Sequence, residues 1–168
     1  MRRSALGTLT MIGLSALLAV VGMSGGHATD PAPLQLETKI SLGRAVGRID
    51  HMAVDLSRRH LFVAELGNDS VGIVDLEAKK VLNRITGLKE PQGVGYASSN
   101  DVLYVANAGD GSVRLFRGAN FKEIGRIKLG DDADNIRIDA AAQRVFVGFG
   151  NGALAVIDAQ NNRKIADM

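Results

Sequence analysis

Apolar and polar residues alternate along this chain in short bursts, and the bursts recur at a fixed step. Leu61-Phe62-Val63-Ala64, Leu103-Tyr104-Val105-Ala106 and Val145-Phe146-Val147-Gly148 place Val63, Val105 and Val147 at intervals of 42 residues. Each burst is rich in β-branched and aromatic side chains and ends at turn residues, which predicts a strand. The same step relates Met52–Asp55 to Val94–Ala97 and Ile136–Asp139. It relates Val71–Val74 to Val113–Phe116 and, after a shift of one residue, to Leu154–Ile157. A fourth set is Val81–Ile85, Glu123–Ile127 and Lys164–Met168. Four short strands in a unit of about 42 residues is the spacing of a β-propeller blade. The pattern therefore predicts an all-β fold of four-stranded antiparallel blades, three in number, over about 48–89, 90–131 and 132–168.

Turn chemistry supports this reading. Gly67-Asn68-Asp69, Gly109-Asp110-Gly111 and Gly150-Asn151-Gly152 offer residues that tolerate positive φ between the second and third strands. The one-residue deletion falls at that turn, where a lost residue does least harm. Asp75 and Asp158 can hold the next turn by accepting from backbone N–H groups, whereas Arg117 takes that place in the middle unit. Helical repeats are excluded, because no unit holds ten residues of 3.6 periodicity and glycine interrupts every window. Another all-β solenoid is the competing architecture.

The first 28 residues read differently. Arg2-Arg3 precede an apolar run from Ala5 to Met23 and a small-residue stretch ending at Ala28, the layout of a secretory signal peptide cleaved after Ala28. A membrane anchor is the alternative that the length allows. Export to the periplasm or the extracellular space is expected, with no membrane association after cleavage. Without Arg2 and Arg3, 18 basic side chains remain against 18 acidic ones, so the mature chain is neutral and basic steering toward nucleic acid is not expected. The absence of cysteine removes disulfides, thiolate metal sites, a cysteine nucleophile and a lipoprotein anchor.

Leu103-Tyr104-Val105-Ala106-Asn107 resembles the motif that names the YVTN-type β-propeller repeats, with Ala106 in the Thr place. Asn68–Asp75 and Gly87–Val94 are similar to that family's turn-strand and inter-blade patterns, so the resemblance spans about Arg48 to Met168. It implies a secreted, YncE-like propeller in a superfamily that also contains quinoprotein dehydrogenases and lactonases. The third unit departs from the pattern, with Asp131-Asp132-Ala133-Asp134-Asn135 where the second has Glu90-Pro91-Gln92-Gly93. A repeat motif identifies a scaffold, and a scaffold does not fix function.

Closed propellers use about four to eight blades. Three blades make an open or incomplete propeller, which is expected to be the amino-terminal part of a longer protein of about seven blades. Self-association of open arcs is the alternative. Leu34–Ile40 alternates like a half-buried strand, which places one strand in an N-terminal segment, 29–47.

Candidate chemistry sits where the first strand of each blade enters the centre. The aligned entry positions are Asp50-His51, Gln92-Gly93 and Asp134-Asn135, with Asp132 just outside. Asp50, His51, Gln92 and Asn135 are the candidate ligand-binding residues. Asp132 and Asp134 are the candidate metal ligands, since oxygen-rich groups suit a hard cation such as Ca²⁺. Asp and Asn also serve as ordinary turn caps at such places. His51 beside Asp50 has the composition of a general base, but no catalytic constellation is assigned. No G-x-S-x-G, P-loop or dinucleotide fingerprint is present. Two functions fit: a non-enzymatic binding or scaffold module holding a protein or small-molecule partner on its loop faces, or a fragment of a metal-dependent lactonase-like or quinoprotein-like enzyme.

Overall fold

The computed structural model describes residues 34–168. The predicted signal peptide, residues 1–28, lies outside the described residues. Contacts divide the chain into Met1–Glu37 and a second compact unit, Thr38–Met168, which holds every strand described below.

That unit is three four-stranded antiparallel sheets, each a simple meander. Blade 1 comprises β1 (Met52–Asp55), β2 (His60–Glu65), β3 (Ser70–Asp75) and β4 (Lys80–Ile85). Blade 2 comprises β5 (Pro91–Ala97), β6 (Val102–Asn107), β7 (Ser112–Arg117) and β8 (Glu123–Lys128). Blade 3 comprises β9 (Ile136–Asp139), β10 (Arg144–Phe149), β11 (Ala153–Asp158) and β12 (Arg163–Asp167). β1 touches β5, and β5 touches β9, so the first strands are the innermost. The architecture is that of β-propeller blades in an unclosed arc.

The turns explain why the step is so regular. In the hairpins between the first and second strands of the blades Arg59, Asp101 and Gln143 adopt positive φ, and in those between the third and fourth strands Lys79, Phe121 and Asn162 do so. Each triplet keeps the repeat offset, with the one-residue deletion accounted for. Between second and third strands, short 3-10 turns at Leu66–Asn68 and Ala108–Asp110 end on Asp69 (φ 52°) and Gly111 (φ 58°). The third of these connections has only residues 150–152, and no 3-10 turn forms there. Positive φ thus falls on the last residue of the turn rather than on Gly67 or Gly109. Asp75 Oδ1 accepts from the N–H groups of Glu77 and Ala78, and Asp158 Oδ1 from Gln160. In the middle blade Asp101 takes over, its Oδ2 accepting from Ala119 N–H at 3.2 Å.

Two apolar cores lie between blades. The first joins the face of blade 1 carrying Phe62, Ala64 and Ile73 to Val94, Leu103 and Phe116 of blade 2. The second joins Tyr104, Val113 and Leu115 of blade 2 to Ile136, Val145 and Ile157 of blade 3. Fully burying one such side chain contributes about 1.5–3 kcal/mol, so these seams dominate the stability of the arc.

The expected strand at Leu34–Ile40 does not form; the first strand among the described residues begins at Met52. A strand needs a partner edge, and Leu34–Ile40 pairs with none of the three sheets. The residues that follow are held by side chains instead. Asn68 Nδ2 donates to Arg44 O at 3.2 Å, Asn68 Oδ1 accepts from Val46 N–H at 3.0 Å, and Arg84 donates to Leu42 O at 2.8 Å.

Candidate functional site

The entry positions of the first strands are built alike. Asp50 N–H donates to Ala64 O and Ala64 N–H to His51 O, both at 2.9 Å, extending the β1–β2 ladder inward. Asp134 N–H donates to Gly148 O and Gly148 N–H to Asn135 O in the same way, at 2.9 and 3.0 Å. Neighbouring blades meet at these positions. His51 N–H reaches Gln92 O at 3.3 Å. Gly93 lies so close to blade 3 that a Cβ there would sit 2.0 Å from Asp134 O. Only glycine permits that approach.

The predicted residues therefore meet in pairs along one end of adjacent inner strands. They do not form a single cluster: among the described residues, no three His, Asp or Glu side chains gather as a metal set. Asp50 is half-buried and accepts from Arg48 at 2.8 Å. His51 Nδ1 lies 3.0 Å from Asp50 Oδ1 yet is misaligned for a hydrogen bond. Asp132 and Asn135 are exposed, and Asp132 adopts φ 37° in the linker that precedes β9. Asp134 is half-buried, with Oδ1 shielded and without a hydrogen-bond partner. Ca²⁺ takes about six to eight oxygen ligands. Asp134 with exposed Asp132 and the neighbouring amides falls well short of a closed cage, although the orphaned oxygen of Asp134 is the kind of group a cation or a water would satisfy.

The strongest polar network lies at the opposite end of β1, where sequence reasoning had singled out nothing. Asp55 is buried, and its carboxylate accepts from Ser57 Oγ (2.6 Å), from the N–H groups of Ser57 and Arg58, and from the Arg58 guanidinium (2.7 Å). Arg58 also reaches across the seam to Tyr96 Oη and Asp101 Oδ1 of blade 2, each at 2.9 Å. Burial alone would push the Asp55 carboxyl up, but Ser57 and Arg58 outweigh it and hold the group at about 2. The Tyr96 phenol is pushed up to about 12 by burial and by its bond to Asp101. Its hydroxyl donates to Asp101 and accepts from Arg58.

A second charged group closes the outer part of blade 1. Glu65, fully buried, receives Arg84 at 2.7 and 2.9 Å and Ser70 Oγ at 2.7 Å. Burial raises its pKa, yet Arg84 and Ser70 bring it below the usual carboxylate range. Two clefts open near the inter-blade seams. One of about 310 Å³ is lined by Val54, Asp55, Leu56, Ser57, Tyr96 and Ser98. Another of about 220 Å³ is lined by Ser99, Asn100, Gln143, Ala159 and Gln160. Both lie at the hairpin end of the inner strands, away from Asp50 and Asp134. The recurrence of a polar residue at Arg58 and Asn100, one repeat apart, was the available signal.

No family model matches the chain, and no curated protein does. Solved structures do match. Hydrazine synthase from Kuenenia stuttgartiensis is similar over 77% of this chain and 39% of that one, at 24% identity and a TM-score of 0.65. The chain thus spans about two fifths of that chain's length. The likeness establishes the fold alone: β-propeller blades, three of them here, in an arc that does not close.

Proposed function

We propose that this chain is an exported propeller section, of the YVTN-repeat kind, that acts as a binding or scaffold module. One observation carries the reading. The inner strands present paired polar groups (Asp50 and His51 beside Gln92, Gly93 against Asp134) at one end of adjacent blades. Such a frame suits the positioning of a partner on the loop faces. The leader-like first 28 residues support export, and the partial coverage of a larger solved chain supports a place within a longer propeller of about seven blades.

The second reading, a fragment of a metal-dependent lactonase-like or quinoprotein-like enzyme, draws on the orphaned carboxylate oxygen of Asp134. Titration of the purified protein with Ca²⁺ alone, followed by calorimetry, separates the two. The module reading expects no stoichiometric heat. One Ca²⁺ per chain, abolished in Asp134→Asn, would transfer the assignment to the enzyme reading. Amino-terminal sequencing of the protein from a periplasmic fraction tests export, and Thr29 is the expected first residue.

A further inference from the structure

The connection between second and third strands is built three times, and the residue before its positive-φ position is Asn68, then Asp110, then Asn151. The first two are clamped. Asn68 donates from Nδ2 to Arg44 O at 3.2 Å and accepts at Oδ1 from Val46 N–H at 3.0 Å. Asp110 accepts at Oδ1 from Ser112 Oγ at 2.5 Å and at Oδ2 from Arg126 at 2.7 Å. The N–H group that follows it, that of Gly111, donates to Ala108 O. Blade 3 lacks this clamp. Ala153 stands in the place of Ser112 and Asp167 in that of Arg126, and the shortened connection forms no 3-10 turn. Asn151 and Gly152 are exposed, and among the described residues neither the Asn151 carboxamide nor Gly152 N–H has a hydrogen-bond partner. A Cβ at Gly150 or Gly152 would meet nothing within 4 Å, so the space around the pair is open. Asn151–Gly152 is also the one Asn–Gly step in the sequence.

We propose that Asn151–Gly152 is a site of covalent self-modification, at which the Gly152 nitrogen cyclises onto the Asn151 carboxamide. The nitrogen gives up its proton to hydroxide and attacks Asn151 Cγ. The new Cγ–N bond forms, the Cγ–Nδ2 bond breaks, and Nδ2 leaves as ammonia after taking a proton from water. Water then opens the five-membered imide at one of its two carbonyls, giving aspartate or isoaspartate. Nothing is oxidised or reduced, and water is the only co-reactant. Glycine after the asparagine places no side chain in the path of the attack, and an unbonded carboxamide and N–H have no contact to break first. The proposal goes beyond the function proposed above and does not rest on it. The product bears on the candidate site all the same. Gly150 N–H donates to Asp131 O at 3.0 Å, so the turn lies against the linker that carries Asp131, Asp132 and Asp134. Modification adds one more carboxylate there, and the isoaspartate form also lengthens the backbone of a three-residue connection.

The repeat also supplies the test. The folded protein is held in mildly alkaline buffer, digested at intervals, and its peptides are weighed and probed with an isoaspartyl methyltransferase. The peptide holding Asn151 should gain about 1 Da and become a methyl acceptor, while the other asparagines keep their amides. The rate should lie within about threefold of that in guanidinium chloride, where no fold protects the site. Asp110→Asn then places the same dipeptide in the clamped turn of blade 2, beside Ser112 and with Gly111 N–H bonded. Asn151 should react at least about tenfold faster than that second site in the same molecule. An Asn151 that stays an amide in the folded protein, or reacts at least about tenfold more slowly there than in denaturant, would overturn the proposal without any variant. Equal rates at the two Asn–Gly steps of the folded variant would overturn it as well, since the clamp would then make no difference.

Discussion

Replacing Arg58 by methionine removes the guanidinium that ties blade 1 to blade 2 and leaves the buried Asp55 carboxylate with Ser57 and backbone N–H groups alone. The depression of Asp55 from 3.8 to about 2 is linked to about 2 kcal/mol of folding stability. Breaking a buried ion pair by removing one partner costs about 3–5 kcal/mol, but Arg58 is 36% exposed and water repairs part of the loss. The expected destabilisation at pH 7 is about 2–3 kcal/mol, read from urea unfolding. The sign with pH follows from the depressed carboxyl. Its stabilisation is present above 3.8 and is lost as pH falls toward 2. The wild-type advantage should therefore narrow to about 1 kcal/mol or less near pH 2.5, where Asp55 is protonated in the variant and partly so in the wild type. A loss under about 0.5 kcal/mol at pH 7, or a gap that stays constant through acid, would refute this account of the seam.

Two further substitutions test the frame. Gly93→Ala forces a Cβ to within 2.0 Å of the Asp134 carbonyl oxygen, where the two nearest atoms are backbone, and should cost about 3 kcal/mol in chemical denaturation. Gly125→Ala, with open space around the added methyl, should stay within about 0.5 kcal/mol; equal effects would show that the close inner-strand approach does not hold. Phe62→Ala empties the first seam and should cost about 3–5 kcal/mol, measured by the shift in urea midpoint at unchanged slope. A loss near 1 kcal/mol would mean that the seam collapses around the vacancy or was never closely packed.

The strands were legible because their determinants are local. Alternation of side chains, the aspartates after two of the third strands and the positive-φ turn positions all act within a few residues, and the 42-residue step repeats the alternation three times. What depended on distant partners was not legible. Arg58 meets Tyr96 and Asp101 across 38 and 43 residues of chain, and nothing in the local pattern announces that meeting. Leu34–Ile40 has strand-like alternation but pairs with no sheet edge, and alternation without a partner makes no strand. Asp50, Gln92 and Asp134 lie at one end of the inner strands, since equivalent positions of the repeat take equivalent places. How closely their side chains converge depends on the spacing between blades, which no periodicity encodes. The clefts found instead beside Asp55 and Asn100 arise from hairpin shapes at the seams.

Each sheet pairs its strands only among themselves, with no strand shared between blades. Every ladder therefore closes inside some 40 residues of chain, and the entropy of loop closure is met in small, similar instalments rather than in one long-range step. A nascent chain can complete its first meander while the second is still being synthesised. Each finished sheet then offers an apolar wall on which the next one condenses. Order along the polypeptide thereby becomes order in time, and the seams, formed last, are where the assembly would first come apart.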